Sequence, residues 1–124
     1  MFELKIKTDF SAAHNLRGYE GECESLHGHN WYVEVFCRSK VLNNIGLVVD
    51  FKVIKTATNE LLDEFDHNYL NELEYFKEVN PSSENIAKHL FEKLTEKFKD
   101  ENATITKVTV YESLNASASY FNEE

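Results

Sequence analysis

At 124 residues, 42% of them hydrophobic, the chain is long enough to bury one core and too short for two comfortable domains. A net charge of −9, with no basic cluster larger than the KLTEKFK stretch, disfavours a nucleic-acid partner, because neutralising phosphates needs a basic footprint. Two cysteines are too few for a disulfide framework, while a small anionic substrate held by one or two local cations stays compatible with the charge.

Phe2, Leu4 and Ile6 alternate with Glu3, Lys5 and Lys7, the period of a strand with one buried face. That alternation is not the unbroken apolar block of a signal peptide, and no run approaches the roughly 18 residues that cross a bilayer. The expectation is a soluble cytoplasmic protein with both thiols reduced. Carried through Phe10 and Ala12, the same parity puts His14 at the inner edge of the core face. The loop NLRGYEGECES follows, with two of the four glycines. From His27 the alternation resumes, with His27, His29, Trp31, Val33, Val35 and Cys37 on one face and Asn30, Tyr32, Glu34, Phe36 and Arg38 on the other.

SKVLNNIG reads as a turn, and LVVDF as a short strand ending in Asp50, an N-cap for a helix from Phe51 to about Asp63. Phe51, Ile54, Leu61, Leu62 and Phe65 give that helix its apolar side. DHNYLNEL interrupts it, and NPSSEN starts a second helix through Pro81 and the hydroxyl of Ser82 or Ser83. Ile86, Ala87, Leu90, Phe91, Leu94 and Phe98 form its stripe. TITKVTVYES returns to period 2, with Val108, Val110 and Glu112 on one face, and ASASYF makes a last strand. With no repeat or linker, the expectation is one α+β domain over residues 1–124, an antiparallel sheet covered by two helices on one face. Tyr32 and Phe36 on the uncovered face point to burial by another subunit.

Three of the five histidines, His14, His27 and His29, converge on the predicted core face, where unpaired imidazoles are costly. His27 and His29, two apart on a strand, can meet one metal ion, and His14 can supply the third ligand of an open zinc site. Cys23, four residues before His27, is either a thiolate base activated by such an ion or a fourth ligand closing a structural Cys-His₃ site. Cys37 reads as a buried core thiol. Asp66 beside His67 is either a solvated helix end or an acid/base relay projected into a pocket by a turn. Glu112 ends a core-facing row, as a solvated strand terminus or a carboxylate awaiting a partner with paired donors.

FSAAHNL, CESLHGHNW, VVDF, DHNYLN, NPSSENIA and VYES, in this order over nearly the whole chain, resemble the 6-pyruvoyl-tetrahydropterin and 6-carboxy-tetrahydropterin synthase superfamily. The short C-x-x-x-H-G-H spacing from Cys23 to His29 is similar to the 6-carboxy, queuosine-pathway branch. The resemblance implies the tunnelling fold (T-fold), sheets joined edge to edge into oligomeric barrels, commonly a homo-hexamer with active sites between subunits. It implies Zn²⁺ on His14, His27 and His29, Cys23 as base, Asp66 and His67 as relay, and Glu112 as anchor of the pterin ring. The implied reaction converts 7,8-dihydroneopterin triphosphate to 6-carboxy-5,6,7,8-tetrahydropterin, triphosphate and acetaldehyde. The triphosphate is the weak point of the match, since Arg17, Lys52 and Lys55 are the obvious cations near the motifs. A 6-pyruvoyl-forming enzyme, a zinc-stabilised binding module and a metal-free oligomeric scaffold are the competing readings.

Overall fold

The alternation at the N-terminus becomes β1 (Phe2–His14), and the His-Gly-His run opens β2 (His27–Ser39), its antiparallel neighbour. The computed structural model describes residues 1–18 and 25–123. With β3 (Asn68–Tyr69), β4 (Thr104–Ser113) and β5 (Ala116–Tyr120) they form one sheet ordered β3-β1-β2-β4-β5. The register sets Phe10 opposite Trp31, Ala12 opposite His29 and His14 opposite His27, so all six share one face. Val33 opposite Val110 carries that face onto β4.

Two helices, α1 (Phe51–Leu62) and α2 (Ser83–Lys97), cover this face. Ile54 and Leu62 of α1 and Ile86, Ala87, Leu90, Phe91 and Leu94 of α2 are buried with Val33, Val35, Cys37, Val108 and Val110. Each helix begins as its sequence requires. Asp50 accepts the Lys52 N–H at 2.9 Å, and Ser82 accepts the Asn85 N–H at 3.1 Å. At one end of the buried face Trp31 stacks on Phe10 and donates its indole N–H to the Ala12 carbonyl at 3.2 Å, which lets a fully buried Trp satisfy its one polar group.

The uncovered face is less apolar than Tyr32 and Phe36 suggest by themselves. Lys107 lies over the Phe36 ring at 4.2 Å, and Lys7 sits between the Tyr32 and Tyr111 rings at 5.6 and 5.9 Å. Glu34, itself largely buried, accepts the Tyr111 hydroxyl at 3.1 Å and meets Lys5 at 3.4 Å.

Two expectations need correction. The sheet is not wholly antiparallel, because β3 pairs with β1 in parallel at Ala12 and Ala13. Asp66 and His67 fasten to Ser11, one accepting its N–H and the other donating to its carbonyl, and this fixes the direction in which the next two residues run beside β1. LVVDF is not a strand. Two of its main-chain groups bond asparagine side chains in place of a ladder: Leu47 N–H donates to Asn43 Oδ1 and the Val48 carbonyl accepts from Asn102 Nδ2. DHNYLNEL folds into β3 and a single 3₁₀ turn, Leu70–Glu72, with a second, Glu74–Phe76, just beyond.

Candidate metal centre and active site

His14, His27 and His29 come together where β1 ends and β2 begins, and β4 brings Glu112 to the same place. One ligand atom from each of the four lies within 4.8 Å of the others. The Glu112 Oε1 sits 3.1 Å from His14 Nε2, 3.7 Å from His27 Nε2 and 3.0 Å from His29 Nε2. His14 is almost fully enclosed, whereas His27, His29 and Glu112 are partly open to solvent. Parity explains the convergence: the three histidines and Glu112 occupy the core-facing positions one step beyond the apolar rows that α1 and α2 cover.

The outer nitrogens of two rings are fixed by main chain. His14 Nδ1 lies 2.8 Å from the Pro81 carbonyl, and His27 Nδ1 lies 2.8 Å from the Ser25 carbonyl. A carbonyl only accepts, so Nδ1 carries the proton and a neutral ring turns its Nε2 lone pair inward. Two such lone pairs then face a carboxylate oxygen at 3.1 and 3.7 Å. Acceptors opposed at these distances need positive charge between them, either protons on the rings or a cation. Three imidazoles and a carboxylate, with two of the outer nitrogens held by carbonyls, are the donor set and outer partners that zinc takes.

Asp66 and His67 form a separate pair. Asp66 Oδ1 accepts the Ser11 N–H at 2.8 Å and Oδ2 lies 3.1 Å from His67 Nδ1. Neighbouring side chains meet here because His67 has φ of 60°, the left-handed conformation that costs a non-glycine residue energy and recurs at functional positions. The imidazole is the most exposed of the four near this end of the sheet. It borders a shallow depression lined by strand residues of both parities, Ser11, Ala13 and Asn30 together with Ala12 and His29.

The Cys23 assignment, as base or as ligand, lies outside the described residues. Cys37 is buried, as its strand position requires, and burial pushes its thiol up to about 11. Arg17 does not reach toward a substrate in this structure. Its guanidinium donates to the carbonyls of Phe76 and Val79 and to Asn80 Oδ1. Lys52 lies on α1 beside Ala57, Glu60 and Lys97, away from the cluster. Sequence reasoning also passed over Ser25 and Pro81, which contribute main-chain carbonyls, and Asn71 and Asn80, whose side-chain amides bond distant main-chain groups; strand and helix periodicity reveals neither kind.

Residues 3–123 match the family described as 6-pyruvoyl tetrahydropterin synthase. The chain belongs to that family. A 6-carboxy-5,6,7,8-tetrahydropterin synthase of Synechocystis is 36% identical, with 98% of this chain and 95% of the relative covered. Another protein of that name, from Rickettsia typhi, is 31% identical over 93% of this chain and 96% of its own. Among solved structures, Caenorhabditis elegans 6-pyruvoyl tetrahydropterin synthase superposes with a TM-score of 0.84 at 28% identity, covering 98% of this chain and 96% of that one. The T-fold expected from the sequence is thus the fold of this family member. No helix among the described residues is long and apolar enough to cross a membrane.

Proposed function

We propose that the chain, one domain over residues 1–124, is a zinc-dependent 6-carboxy-5,6,7,8-tetrahydropterin synthase of the cytoplasm. Its substrates would be 7,8-dihydroneopterin triphosphate and one water, and its products 6-carboxytetrahydropterin, acetaldehyde and triphosphate, on the route to queuosine and other 7-deazaguanine compounds. The observation that carries the reading is the cluster of three imidazoles around one carboxylate oxygen, two of them with their Nε2 lone pairs turned inward. The two curated relatives that bear this enzyme's name support the choice of product.

In this reading His14, His27 and His29 hold Zn²⁺, which supplies a Lewis acid beside the substrate's side-chain hydroxyls. Cys23 removes a carbon-bound proton as thiolate. His67, oriented by Asp66, gives and takes protons elsewhere on the side chain. Glu112 accepts two parallel hydrogen bonds from the amino-pyrimidine edge of the pterin, a planar donor pair suited to a carboxylate. In this reading a complete site takes the histidine cluster from one copy and the solvent-exposed Asp66–His67 pair from another. That favours a homo-hexameric ring with active sites between subunits. With Arg17 engaged internally, cations for the triphosphate also come from a neighbouring copy.

A second reading has an observation of its own: the Glu112 oxygen at 3.0–3.7 Å from all three rings suits a fourth metal ligand, and hence a closed, non-catalytic centre. Incubation with 7,8-dihydroneopterin triphosphate, with products identified by mass spectrometry and zinc quantified in the same sample, separates the readings. The parent chain forms 6-carboxytetrahydropterin, and Cys23→Ala retains zinc but forms none. A 6-pyruvoyl product refutes the carboxy assignment, and zinc without turnover favours the closed centre.

A further inference from the structure

Asn80 belongs to the NPSSEN stretch, whose sequence announces only the start of α2. Its side chain is turned the other way, onto the segment that follows His14. Asn80 Oδ1 accepts the Arg17 main-chain N–H at 2.9 Å and Arg17 Nε at 3.2 Å, and its Nδ2 donates to the Arg17 carbonyl at 2.8 Å. The primary amide thus pairs with one residue's N–H and C=O as a neighbouring strand would. Asn71 does the same two residues earlier, with the N–H of Asn15 at 3.0 Å and its carbonyl at 2.8 Å. Side chains in this way continue the pairing of β1 beyond His14.

The Asn80 bonds also fix the loop they come from. Arg17 reaches the carbonyls of Phe76 and Val79, and Asn85 Nδ2 donates to the Asn80 carbonyl at 2.9 Å. Ser82, on the far side of Pro81, is tied down as the cap of α2. Between these anchors stands the Pro81 carbonyl, 2.8 Å from His14 Nδ1. A proline contributes no N–H, so this carbonyl is the one main-chain group that Pro81 offers.

We propose that Asn80 is a positioning residue for metal binding: with Arg17 it holds the Pro81 carbonyl against His14, which keeps the ring proton on Nδ1 and the Nε2 lone pair aimed at the cluster. The inference rests on the reading that the three histidines bind zinc. When the carbonyl is free to move, the His14 ring can take its proton on Nε2 instead and donate it to Glu112, 3.1 Å away, which removes one metal ligand. A merely structural Asn80 would change stability and leave the ring's tautomer alone.

The test compares the full chain with Asn80→Ala and Asn80→Asp, and with Asn102→Ala as a structural control, since Asn102 clamps the Val41 and Val48 carbonyls. Zinc affinity is measured by competition with a chromophoric chelator. The His14 tautomer is read from imidazole ¹⁵N shifts in the metal-free proteins. Asn80→Ala should lose roughly 10- to 100-fold in zinc affinity, the range for outer partners of ligating histidines, with a rising share of the Nε2–H tautomer. Asn80→Asp keeps the acceptor bonds but sets a carboxylate oxygen against the Arg17 carbonyl, so it should show a loss in the same direction, and it serves if the alanine variant does not fold. Asn102→Ala should lower the melting temperature and keep parent affinity. Parent-like affinity and tautomer in both Asn80 variants overturn the inference alone. A parent chain that takes up no zinc overturns the metal reading, and this inference with it.

Discussion

His27 and His29 share one face of β2 with Val33, Val35 and Cys37, yet the two halves of that face serve different chemistry. Val33, Val35 and Cys37 are sealed under α1 and α2 at 0% exposure. His27 and His29 keep 36% and 24% of their side chains exposed, and His27 Nδ1 and the neighbouring His14 Nδ1 meet carbonyls, of Ser25 and Pro81, rather than methyl groups. Trp31 marks the boundary, with Phe10 stacked on one side and the His14 and His29 rings edge-on at 4.7 and 5.3 Å. Strand parity chooses the face, and distance from the helices then chooses between a dry core and a polar cluster. An imidazole moved two positions toward Val33 would lose water and carbonyl partners together, which is why the chemistry stays at the sheet's end.

The contrast breaks most severely if a ligand is removed. His29→Ala should abolish stoichiometric zinc, a loss beyond the roughly 100-fold that outer partners are worth, while the dry half keeps the fold. Metal analysis alongside circular dichroism checks this, and full zinc retention would end the three-histidine assignment. Leu90→Ala is the converse perturbation. Deleting a wholly buried side chain of α2 should cost about 2–5 kcal/mol in urea unfolding and leave one zinc per folded chain.

Glu112→Gln sharpens the boundary itself. If the carboxylate anchors the pterin, replacing one acceptor by an amide donor should cost on the order of 2–4 kcal/mol in pterin binding, about 30- to 1000-fold, with zinc unchanged. Calorimetric titration with pterin and with zinc distinguishes this from a fourth ligand, whose loss would fall on the metal. The smallest effect belongs to Cys37, inside the dry half. Cys37→Ala should cost roughly 1 kcal/mol and leave metal untouched. Its thiol, raised by burial from 9.0 to about 11, ionises more readily in the unfolded chain. Its contribution to stability is therefore complete below pH 9 and fades as pH rises toward 11; a stability profile of Cys37→Ala should be flatter than the parent's across that window.

Much of the cluster was legible because a strand's side chains repeat every two residues. The parity of Phe10, Ala12 and His14, of His27, His29 and Trp31, and of Val108, Val110 and Glu112 fixes which side chains face one way before any pairing is known. Both helices were legible through their caps, with Asp50 and Ser82 doing what Asp and Ser do at a first turn, and α2 through its stripe; the expected α1 stripe needs correction, since Phe51 is exposed and Phe65 lies beyond the helix end. LVVDF misled because its apolar residues satisfy a strand's pattern while asparagine side chains take its main-chain bonds.

The sequence by itself determined the secondary structure that a single element's periodicity encodes, and the set of residue types able to hold a metal. It also carried the order of motifs that places the chain in its family. Only the tertiary structure decided that β3 runs parallel to β1, that Arg17 faces loop carbonyls, and that Glu112 points among three imidazoles. The reason is common to all three. Each depends on a main-chain or side-chain group far away in the chain, such as Ser11 for Asp66 or His14 for Glu112, and contacts across about 55 to 98 residues leave no local period to read.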